Sequence, residues 1–341
     1  MNSWQPPSEW DRIKTIDAHT AGEPFRVIIE GTPELEGETI LERRRFAREN
    51  LDSLRRTLMW EPRGHADMYG CLVTDPVSVE ADLGVIFMHN EGYSTMCGHG
   101  IIGLVTVALE TGMIPIQGAE TRVGLDTPAG FVQATAYVEG ARVTRVRFVN
   151  VPSFPLALDQ ELEVEGLGRI KYDLAFGGAF YAYVTADQAK VGLTERHFRE
   201  LIERGIRIKA AVNQDRSIEH PLEPELSFLY GTIFTGQPSE GGLHSRNVCV
   251  FADGEVDRCP TGTGVSGRLA LDHARRRLSP NEWIEIESII GTRFRGRIIE
   301  ETKVADLTAV VPEVEGSAFI TGRHEFLIDP RDPLKNGFLL R

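Results

Sequence analysis

A short glycine-rich motif occurs twice in the chain, and only its first copy carries a cysteine at the matching position. The first copy is residues 96–100 (MCGHG), and the second is residues 257–264 (DRCPTGTG). When the glycines are aligned, Cys97 lies opposite Thr261. Each copy runs directly into an apolar stretch where we expect a helix to begin. A chain of two related halves that repeat this motif can hold one ligand between two helix N-termini.

The glycines of both motifs leave backbone N–H groups uncovered at the start of a helix. Such groups, together with the helix dipole, favour a bound anion. A substrate carboxylate is the natural candidate. A thiol in both copies would allow protons to be removed and returned on opposite faces of a ligand, but only the first copy has one at this position.

The length and charge of the chain limit its class. At 341 residues it can form two domains of ordinary size. The net charge of −13 argues against a nucleic-acid partner, because phosphate binding needs a basic surface. No stretch approaches the roughly 20 apolar residues of a membrane span. Residues 1–11 lack the pattern of a signal peptide, so we expect none.

The four cysteines are too few and too scattered for a disulfide framework, so we expect a reducing, cytoplasmic setting. Cys71 and Cys249 lie within apolar runs, which is typical of buried structural cysteines. Cys97 lies at a predicted helix start, where we expect the helix N-terminus to lower the thiol pKa and favour the thiolate. Cys259 is expected to be a small packing residue, with a shifted second base as the alternative.

Strand-like runs dominate the chain, and several alternate apolar and polar residues as half-buried antiparallel strands do. We predict strands at residues 26–30, 84–89, 142–150, 179–185, 247–252, 283–290 and 297–300. Apolar periodicity predicts helices at residues 39–58, 101–111, 194–204 and 265–278. Gly205 is interpreted as the stop of the third helix, and residues 275–277 (RRR) as a solvated helix end.

Both halves repeat the order strand, loop, motif, helix and strand-turn-strand, which indicates a duplication. We predict two half-domains: residues 12–141 together with 322–341, carrying Cys97, and residues 142–321, carrying Thr261. The last strand-like run, residues 325–328, is expected to return to the first half.

Other chemistries fit the motifs less well. Both copies match the dinucleotide fingerprint G-x-G-x-x-G, but loops precede them and we expect antiparallel strands around them rather than a βαβ unit. A Cys–His hydrolase is the rival use of Cys97 and His99, although residues two apart at a helix start usually diverge. We expect no metal, since no ligand spacing links the candidate side chains. These candidates are His19, Glu23, His65, Asp67 and His99.

The two motifs resemble the signature segments of the proline racemase family. Three further segments match the family pattern: residues 16–24 (IDAHTAGEP), 61–65 (EPRGH) and 177–180 (GGAF). Together with the two motifs, they occur in the expected order over nearly the whole chain. The family includes proline racemase, 4-hydroxyproline 2-epimerase and trans-3-hydroxy-L-proline dehydratase. The resemblance implies an enzyme without a cofactor that acts on a small imino acid, and it is compatible with a homodimer.

The resemblance also implies an α/β (α+β) fold similar to that of diaminopimelate epimerase. In such a fold two pseudo-symmetric domains each wrap a curved mixed sheet around a central helix, and the active site lies in the cleft between them.

Carried over by position, Cys97 matches the base that removes the α-proton. Thr261 matches the second acid/base position. His99 and Asp257 match residues that hold the imino nitrogen and the polar end of the substrate. The carboxylate is matched to backbone N–H groups of four residues, namely Gly98, His99, Gly262 and Thr263.

Family members that invert a stereocentre carry cysteine where this chain has Thr261. Threonine there resembles the dehydratase branch, and residues 177–182 (GGAFYA) fit that branch too. We therefore expect a hydro-lyase of this branch. The alternatives are an epimerase or racemase that uses Cys259 or a water as its second acid, and a non-enzymatic imino-acid binding protein. Cys259 stands where a serine is usual, and residues 228–231 are candidates for contact with a ring hydroxyl.

Overall fold

Strands form most of the molecule, and they join into one continuous mixed sheet. The structure is a computed structural model that describes residues 4–340. The expectation that residues 1–11 form no signal peptide includes residues 1–3, which lie outside the described part of the chain. Within it, the strands are β1 (Asp11–Thr20), β2 (Glu23–Glu30), β3 (Tyr69–Thr74), β4 (Leu83–His89), β5 (Glu120–Thr127), β6 (Gly130–Glu139), β7 (Arg142–Val149), β8 (Phe154–Val164), β9 (Gly168–Phe176), β10 (Phe180–Thr185), β11 (Leu229–Gly236), β12 (Ser245–Phe251), β13 (Glu255–Val256), β14 (Ile284–Glu287), β15 (Arg293–Val304), β16 (Leu307–Gly316) and β17 (Ala318–Ile328).

The α-helices are fewer, and two of them lie at the centre of the molecule. They are α1 (Ile40–Asn50), α2 (Asp52–Met59), α3 (Gly98–Glu110), α4 (Ala186–Ala189), α5 (Phe198–Asp215) and α6 (Gly262–Ala274). Between residues 4 and 340, no helix combines the length and the apolar character that crossing a membrane requires.

Helices α3 and α6 are the two that follow the glycine-rich motifs. Every residue of α3 from Gly98 to Leu109 is buried, and α6 is buried over most of its length. A helix that is apolar on all sides is stable only inside a core. The sheet supplies that core, because α3 packs against β1, β2, β7 and β17, while α6 packs against β8, β9, β15 and β16.

The pairing of the strands repeats along the chain. In the first half, β2 and β3 are parallel, β3 and β4 antiparallel, and β4 and β5 parallel. In the second half, β10 and β11 are parallel, β11 and β12 antiparallel, and β12 and β14 parallel. Helix α3 lies between β4 and β5 in the chain, and α6 lies between β12 and β14. This repeated order supports a duplication.

The strand pairing is continuous between the halves. Strand β7 pairs with β6 on one side and with β16 on the other, and β17 runs back to pair with β1 along its whole length. The residues predicted to return to the first half, 325–328, lie at the end of β17. The exact division into 12–141 with 322–341, and 142–321, stays a prediction.

The expectation of antiparallel strands around each motif is wrong. Strands β4 and β5 are parallel, as are β12 and β14, and each pair is connected through a buried helix. Parallel neighbours need such a crossover, because a tight hairpin can join only antiparallel strands. The predicted strands are otherwise present, although 283–290 shortens to β14 and 297–300 is the middle of the longer β15.

The single helix predicted over residues 39–58 is two helices. The chain leaves the helical conformation at Leu51, which ends α1 and precedes α2. The break redirects α2 so that the buried Arg55 guanidinium donates to the backbone carbonyl of His89 at 2.9 Å. A buried guanidinium needs such acceptors, and this requirement is not visible in the helical periodicity.

The predicted stop at Gly205 is also wrong, since α5 continues through it to Asp215. A Cβ at Gly205 would lie 2.5 Å from the Cβ of Val250, so the glycine allows α5 to lie close to β12. The basic residues after α6 are more than a solvated helix end. Arg275 donates to Asp159 and to both oxygens of Asp173.

The two central helices begin at the same point in space. A Cβ added to Gly98 would lie 2.6 Å from the Cα of Gly262, and a Cβ added to Gly262 would lie 2.7 Å from the Cα of Gly98. Real Cβ atoms do not approach backbone so closely, and backbone cannot rotate away as a side chain can. Glycine at both positions is therefore what lets the two helix N-termini meet.

Gly98→Ala should therefore destabilise the protein by forcing the two halves apart. Overpacking of a tight core typically costs about 1–3 kcal/mol. Gly118→Ala is the matched control, because a Cβ at Gly118 would meet no atom within 4 Å. Urea unfolding of both variants measures the difference. Equal unfolding midpoints for the two variants would show that the helix ends are not in tight contact.

Candidate active site

Cys97 is the N-cap residue of α3, and its side chain points back over the first turn. The Cys97 Sγ accepts a hydrogen bond from the backbone N–H of Gly100 at 3.2 Å. An N-cap side chain normally satisfies one of the free N–H groups at a helix start, and here a sulfur takes that place. The thiol is buried, with 4% of the residue exposed.

The imidazole of His99 lies beside this thiol. Its Nδ1 is 3.2 Å from Cys97 Sγ, so the expectation that these side chains diverge is wrong. The ring is held by edge contacts with Tyr69 and Phe25, at centroid distances of 4.6 and 5.8 Å. Burial lowers the pKa of His99 to about 4. A neutral imidazole with so low a pKa does not form the thiolate–imidazolium pair of a Cys–His hydrolase.

The helix N-terminus does not by itself make Cys97 a thiolate. Burial raises the thiol pKa well above its ordinary value, and the Gly100 N–H and the Tyr69 hydroxyl lower it by less. The nearby carboxylates of Asp257 and Glu23 raise it further. The expected low pKa is therefore wrong, because desolvation outweighs the helix end. A bound cation would shift the balance towards thiolate.

The second motif places a hydroxyl where the first has a thiol. Thr261 begins α6 with a φ of 66°, a left-handed conformation rare for threonine. Its hydroxyl donates to Asp257 Oδ2 at 2.8 Å. Asp257 Oδ1 accepts from the backbone N–H of Cys259 at 2.8 Å. The Thr261 proton is thus already engaged with a carboxylate.

Cys259 lies behind Thr261 rather than in front of it. It is fully buried, and its Sγ accepts from the Thr261 backbone N–H at 3.2 Å. It does not line the cavity, whereas Thr261 does. This is the packing position expected for it.

A small cavity lies between the two helix starts. It offers about 20 Å³ of free space, enough for about one water molecule. The cavity is lined by Tyr69, Met96, Cys97, Gly98, His99, Tyr181, Tyr230, Cys249, Phe251, Asp257, Thr261, Gly262 and Thr263.

All seven residues matched to the site by position line this cavity. Tyr230 comes from the segment 228–231 singled out for a ring hydroxyl. Tyr181 follows the GGAF segment, and its hydroxyl lies 2.7 Å from Thr263 Oγ1. Tyr69 and Cys249 were missed, because each lies on a buried strand and reads as core. Cys249 is fully buried, as expected, but it is also part of the cavity wall.

A second carboxyl group supports the loop behind the site. Glu23 is fully buried, and its Oε2 accepts from the Arg258 backbone N–H at 2.6 Å. Burial, and then the charge of Asp257, raise the pKa of Glu23 well above its ordinary value. The neutral form of Glu23 is thereby favoured. Asp257, unlike Glu23, lines the cavity.

Three of the described residues offer atoms that could ligate one metal ion. The donor atoms of His99, Asp257 and Cys259 lie within 4.8 Å of one another. Both Asp257 oxygens already accept hydrogen bonds, and the Cys259 sulfur accepts one from Thr261. The sequence-based expectation of a site without metal stays a prediction.

This arrangement is suited to proton chemistry on an anionic ligand. The starts of α3 and α6 meet at Gly98 and Gly262, and N–H groups at such helix starts can hold a carboxylate. Cys97 and Thr261 both line the cavity between them. These features define a class: an acid–base enzyme built as two similar halves around one cavity.

Comparison with known proteins gives the family. The family model described as proline racemase matches residues 15–339. The chain therefore belongs to the proline racemase family.

Relatives in this family carry two different names. A trans-3-hydroxy-L-proline dehydratase from Colwellia psychrerythraea is 48% identical over 344 residues, covering 100% of this chain and 97% of that protein. A 3-hydroxyproline 2-epimerase from Burkholderia multivorans is 47% identical over 329 residues, covering 96% of this chain and 98% of that protein.

Among solved structures, a hydroxyproline epimerase from Agrobacterium vitis with bound trans-4-hydroxy-L-proline superposes with a TM-score of 0.93. It is 34% identical and matches 98% of this chain and 96% of that chain. The predicted fold is confirmed.

The pKa shift of Cys97 predicts that the free enzyme holds a thiol rather than a thiolate at neutral pH. The measurement is the ultraviolet thiolate absorbance of the wild type minus that of Cys97→Ser, followed as pH rises. The difference should be absent at pH 7 and develop only above about pH 8.5, the ordinary cysteine pKa. A full thiolate signal at pH 7 would contradict the dominance of burial.

Proposed function

We propose that the chain is a trans-3-hydroxy-L-proline dehydratase that forms 1-pyrroline-2-carboxylate without a cofactor. One observation carries the proposal: the position opposite Cys97 holds Thr261, whose hydroxyl is committed to Asp257. Chemistry that needs a proton donor on each face of the substrate is poorly served by such a site. Chemistry on one face is well served. The name of the Colwellia relative points to the same reaction.

The substrate would bind as a zwitterion. Its carboxylate would accept from the N–H groups of Gly98, His99, Gly262 and Thr263, where two helix dipoles favour negative charge. Its imino nitrogen would lie near Asp257 and His99, which line the same cavity. The cationic nitrogen also lowers the cost of a thiolate at Cys97, since a nearby positive charge favours the charged form.

The stereochemistry of the substrate explains how one thiol suffices. In trans-3-hydroxy-L-proline the hydroxyl lies on the same ring face as the α-hydrogen. Cys97 would remove the α-proton, and the hydroxyl would leave from that same face in a syn elimination. The charge that develops at Cα spreads into the carboxylate, which preorganised N–H groups stabilise. The resulting enamine tautomerises to 1-pyrroline-2-carboxylate.

A second candidate is 3-hydroxyproline 2-epimerase. Its support is the name of the Burkholderia multivorans relative and the presence of Cys249 in the cavity wall. Burial raises the pKa of the Cys249 thiol well above its ordinary value, as it does for Cys97. Cys249 lies within strand β12, so it lacks the helix start that Cys97 has. This difference favours the dehydratase.

The proposal also includes the setting of the enzyme. All four cysteines are free, which suits a reducing, cytoplasmic compartment. A homodimer is proposed from the family resemblance alone.

The substrate assay is proton NMR of the enzyme with trans-3-hydroxy-L-proline, trans-4-hydroxy-L-proline and L-proline in separate reactions. Only the first should be consumed, and it should give a pyrroline carboxylate. Cys97→Ser should lose activity by at least about 10²–10⁴-fold, because a positioned base contributes that much. Cys71→Ala, at a buried free cysteine outside the cavity lining, is the matched control and should keep most of the activity. Epimers of the other two substrates would refute the proposal, and near-normal Cys97→Ser activity would refute the assignment of the base.

Thr261→Cys should give the enzyme a new activity. A thiol at this place would offer a proton to the face opposite Cys97, so slow formation of the α-epimer should accompany dehydration. Chiral chromatography of the unreacted substrate detects the epimer. Thr261→Ser, which keeps a hydroxyl, is the control and should form none. Epimer from both variants, or from neither, would show that residue 261 does not set the outcome.

A further inference from the structure

Three buried hydroxyl groups form a cluster beside Cys97. Tyr69 and Ser94 are hydrogen-bonded through their hydroxyls, and Ser94 Oγ lies 3.2 Å from the Tyr230 hydroxyl. The two tyrosine oxygens are 3.5 Å apart. These residues are between 0% and 8% exposed. We call Tyr69, Ser94 and Tyr230 the hydroxyl cluster.

The hydroxyl cluster is part of the cavity wall on the Cys97 side. Tyr69, Tyr230 and Cys97 all line the cavity, and the Tyr69 ring contacts the His99 ring that lies beside the thiol. Tyr69 lies on β3, and Tyr230 on β11, which is the equivalent strand of the second half. Ser94 lies in the loop that leads to α3. Both halves therefore contribute to one group of hydroxyls.

Aromatic packing holds these hydroxyls in place. The Tyr69 ring stacks on His89 with centroids 5.6 Å apart, and it contacts the edge of His99. The Tyr230 ring stacks on Phe251 with centroids 5.3 Å apart. Rings packed on two sides have little freedom to turn. Such rigid hydroxyls are suited to transferring a proton over a fixed path.

The dehydration includes a second proton transfer, to the leaving hydroxyl, besides the removal of the α-proton by Cys97. After Cys97 has taken the α-proton, the departing oxygen must gain a proton to leave as water. We propose that the Tyr69 hydroxyl donates that proton and takes one back from Cys97, an inference that rests on the proposed dehydratase function.

The step balances. The Cys97 thiolate takes the α-hydrogen as a proton, and the electrons of that C–H bond form the Cα–C3 double bond. The C3–O bond breaks with its electron pair on oxygen. That oxygen takes the proton of the Tyr69 hydroxyl and leaves as water. The Tyr69 oxygen takes the proton of the Cys97 thiol, so thiolate and phenol are both restored.

The surroundings of Tyr69 favour a relay over a lasting phenolate. Burial, and then the nearby Cys97, raise the pKa of Tyr69 well above its ordinary value, while the Ser94 hydrogen bond lowers it. A phenolate is therefore costly there, and loss of the proton must coincide with its replacement. Ser94 reduces this cost during the transfer. This assigns Tyr69 to the leaving group and Ser94 to positioning.

The test is Tyr69→Phe, which keeps the stacked ring and removes only the hydroxyl. The turnover rate should fall about 10²-fold or more, as for loss of a general acid. The kinetic isotope effect from deuterium at Cα should decrease at the same time. Loss of the relay makes C–O cleavage slow, so α-proton removal becomes reversible and no longer limits the rate.

Two further variants make the test specific. Tyr93→Phe removes a buried hydroxyl that bonds the carbonyls of Ala47 and Leu51, outside the cavity lining, and should change neither quantity. Ser94→Ala should change both in the same direction as Tyr69→Phe, by up to about tenfold in rate, because the Tyr69 and Tyr230 hydroxyls each lose their hydrogen bond to Ser94. It also provides an independent test if Tyr69→Phe does not fold.

Three outcomes would overturn the relay. A Tyr69→Phe rate near that of the wild type would show that Tyr69 is not needed. A lower rate with a larger isotope effect would assign Tyr69 to α-proton removal instead. A lower rate with an unchanged isotope effect would indicate a structural role. Failure of the proposed function is distinguishable from failure of the relay alone, because the wild-type enzyme itself would then form no pyrroline carboxylate. That result would overturn the relay as well.

Discussion

The meeting of two helix N-termini at Gly98 and Gly262 is the constraint on which the rest of the structure depends. Two positive helix ends in contact repel each other, and their free N–H groups are buried. The arrangement requires backbone in direct contact, so neither position tolerates a Cβ. Two helix starts that meet in this way favour a bound anion. In the proposed function this is where the substrate carboxylate binds.

The burial that forms the site also raises the pKa of its thiol. Burial raises the pKa of Cys97 and lowers that of His99, so the resting pair is a thiol beside a neutral imidazole. In the proposed function a zwitterionic substrate supplies what is missing, because its carboxylate satisfies the helix ends and its cationic nitrogen favours the thiolate. Binding and activation of the base are then one event, and water is excluded from it.

Much of this could be predicted from the sequence, and the failures have physical causes. The duplicated motif predicted both central helices, because glycines at a helix start are a local signal. The family resemblance supplied the seven residues matched to the site, which all line the cavity. Their roles stay predictions. The role of Gly205 in packing against Val250 depends on which strand lies beside α5, and no local pattern encodes that. The sequence pattern places Tyr69 and Cys249 in the core, because a buried strand and a cavity wall have the same composition. The pKa of Cys97 depended on burial, which the helix-start pattern does not report.

The central claim is that proton chemistry occurs on one face of the substrate only. It is tested most directly by stopping the wild-type reaction with trans-3-hydroxy-L-proline at half conversion and determining the configuration of the recovered substrate. The account predicts that the recovered material is still trans-3-hydroxy-L-proline, alongside the pyrroline product. Accumulation of its α-epimer, cis-3-hydroxy-D-proline, would mean that a second acid acts on the opposite face, and the one-thiol account would be wrong.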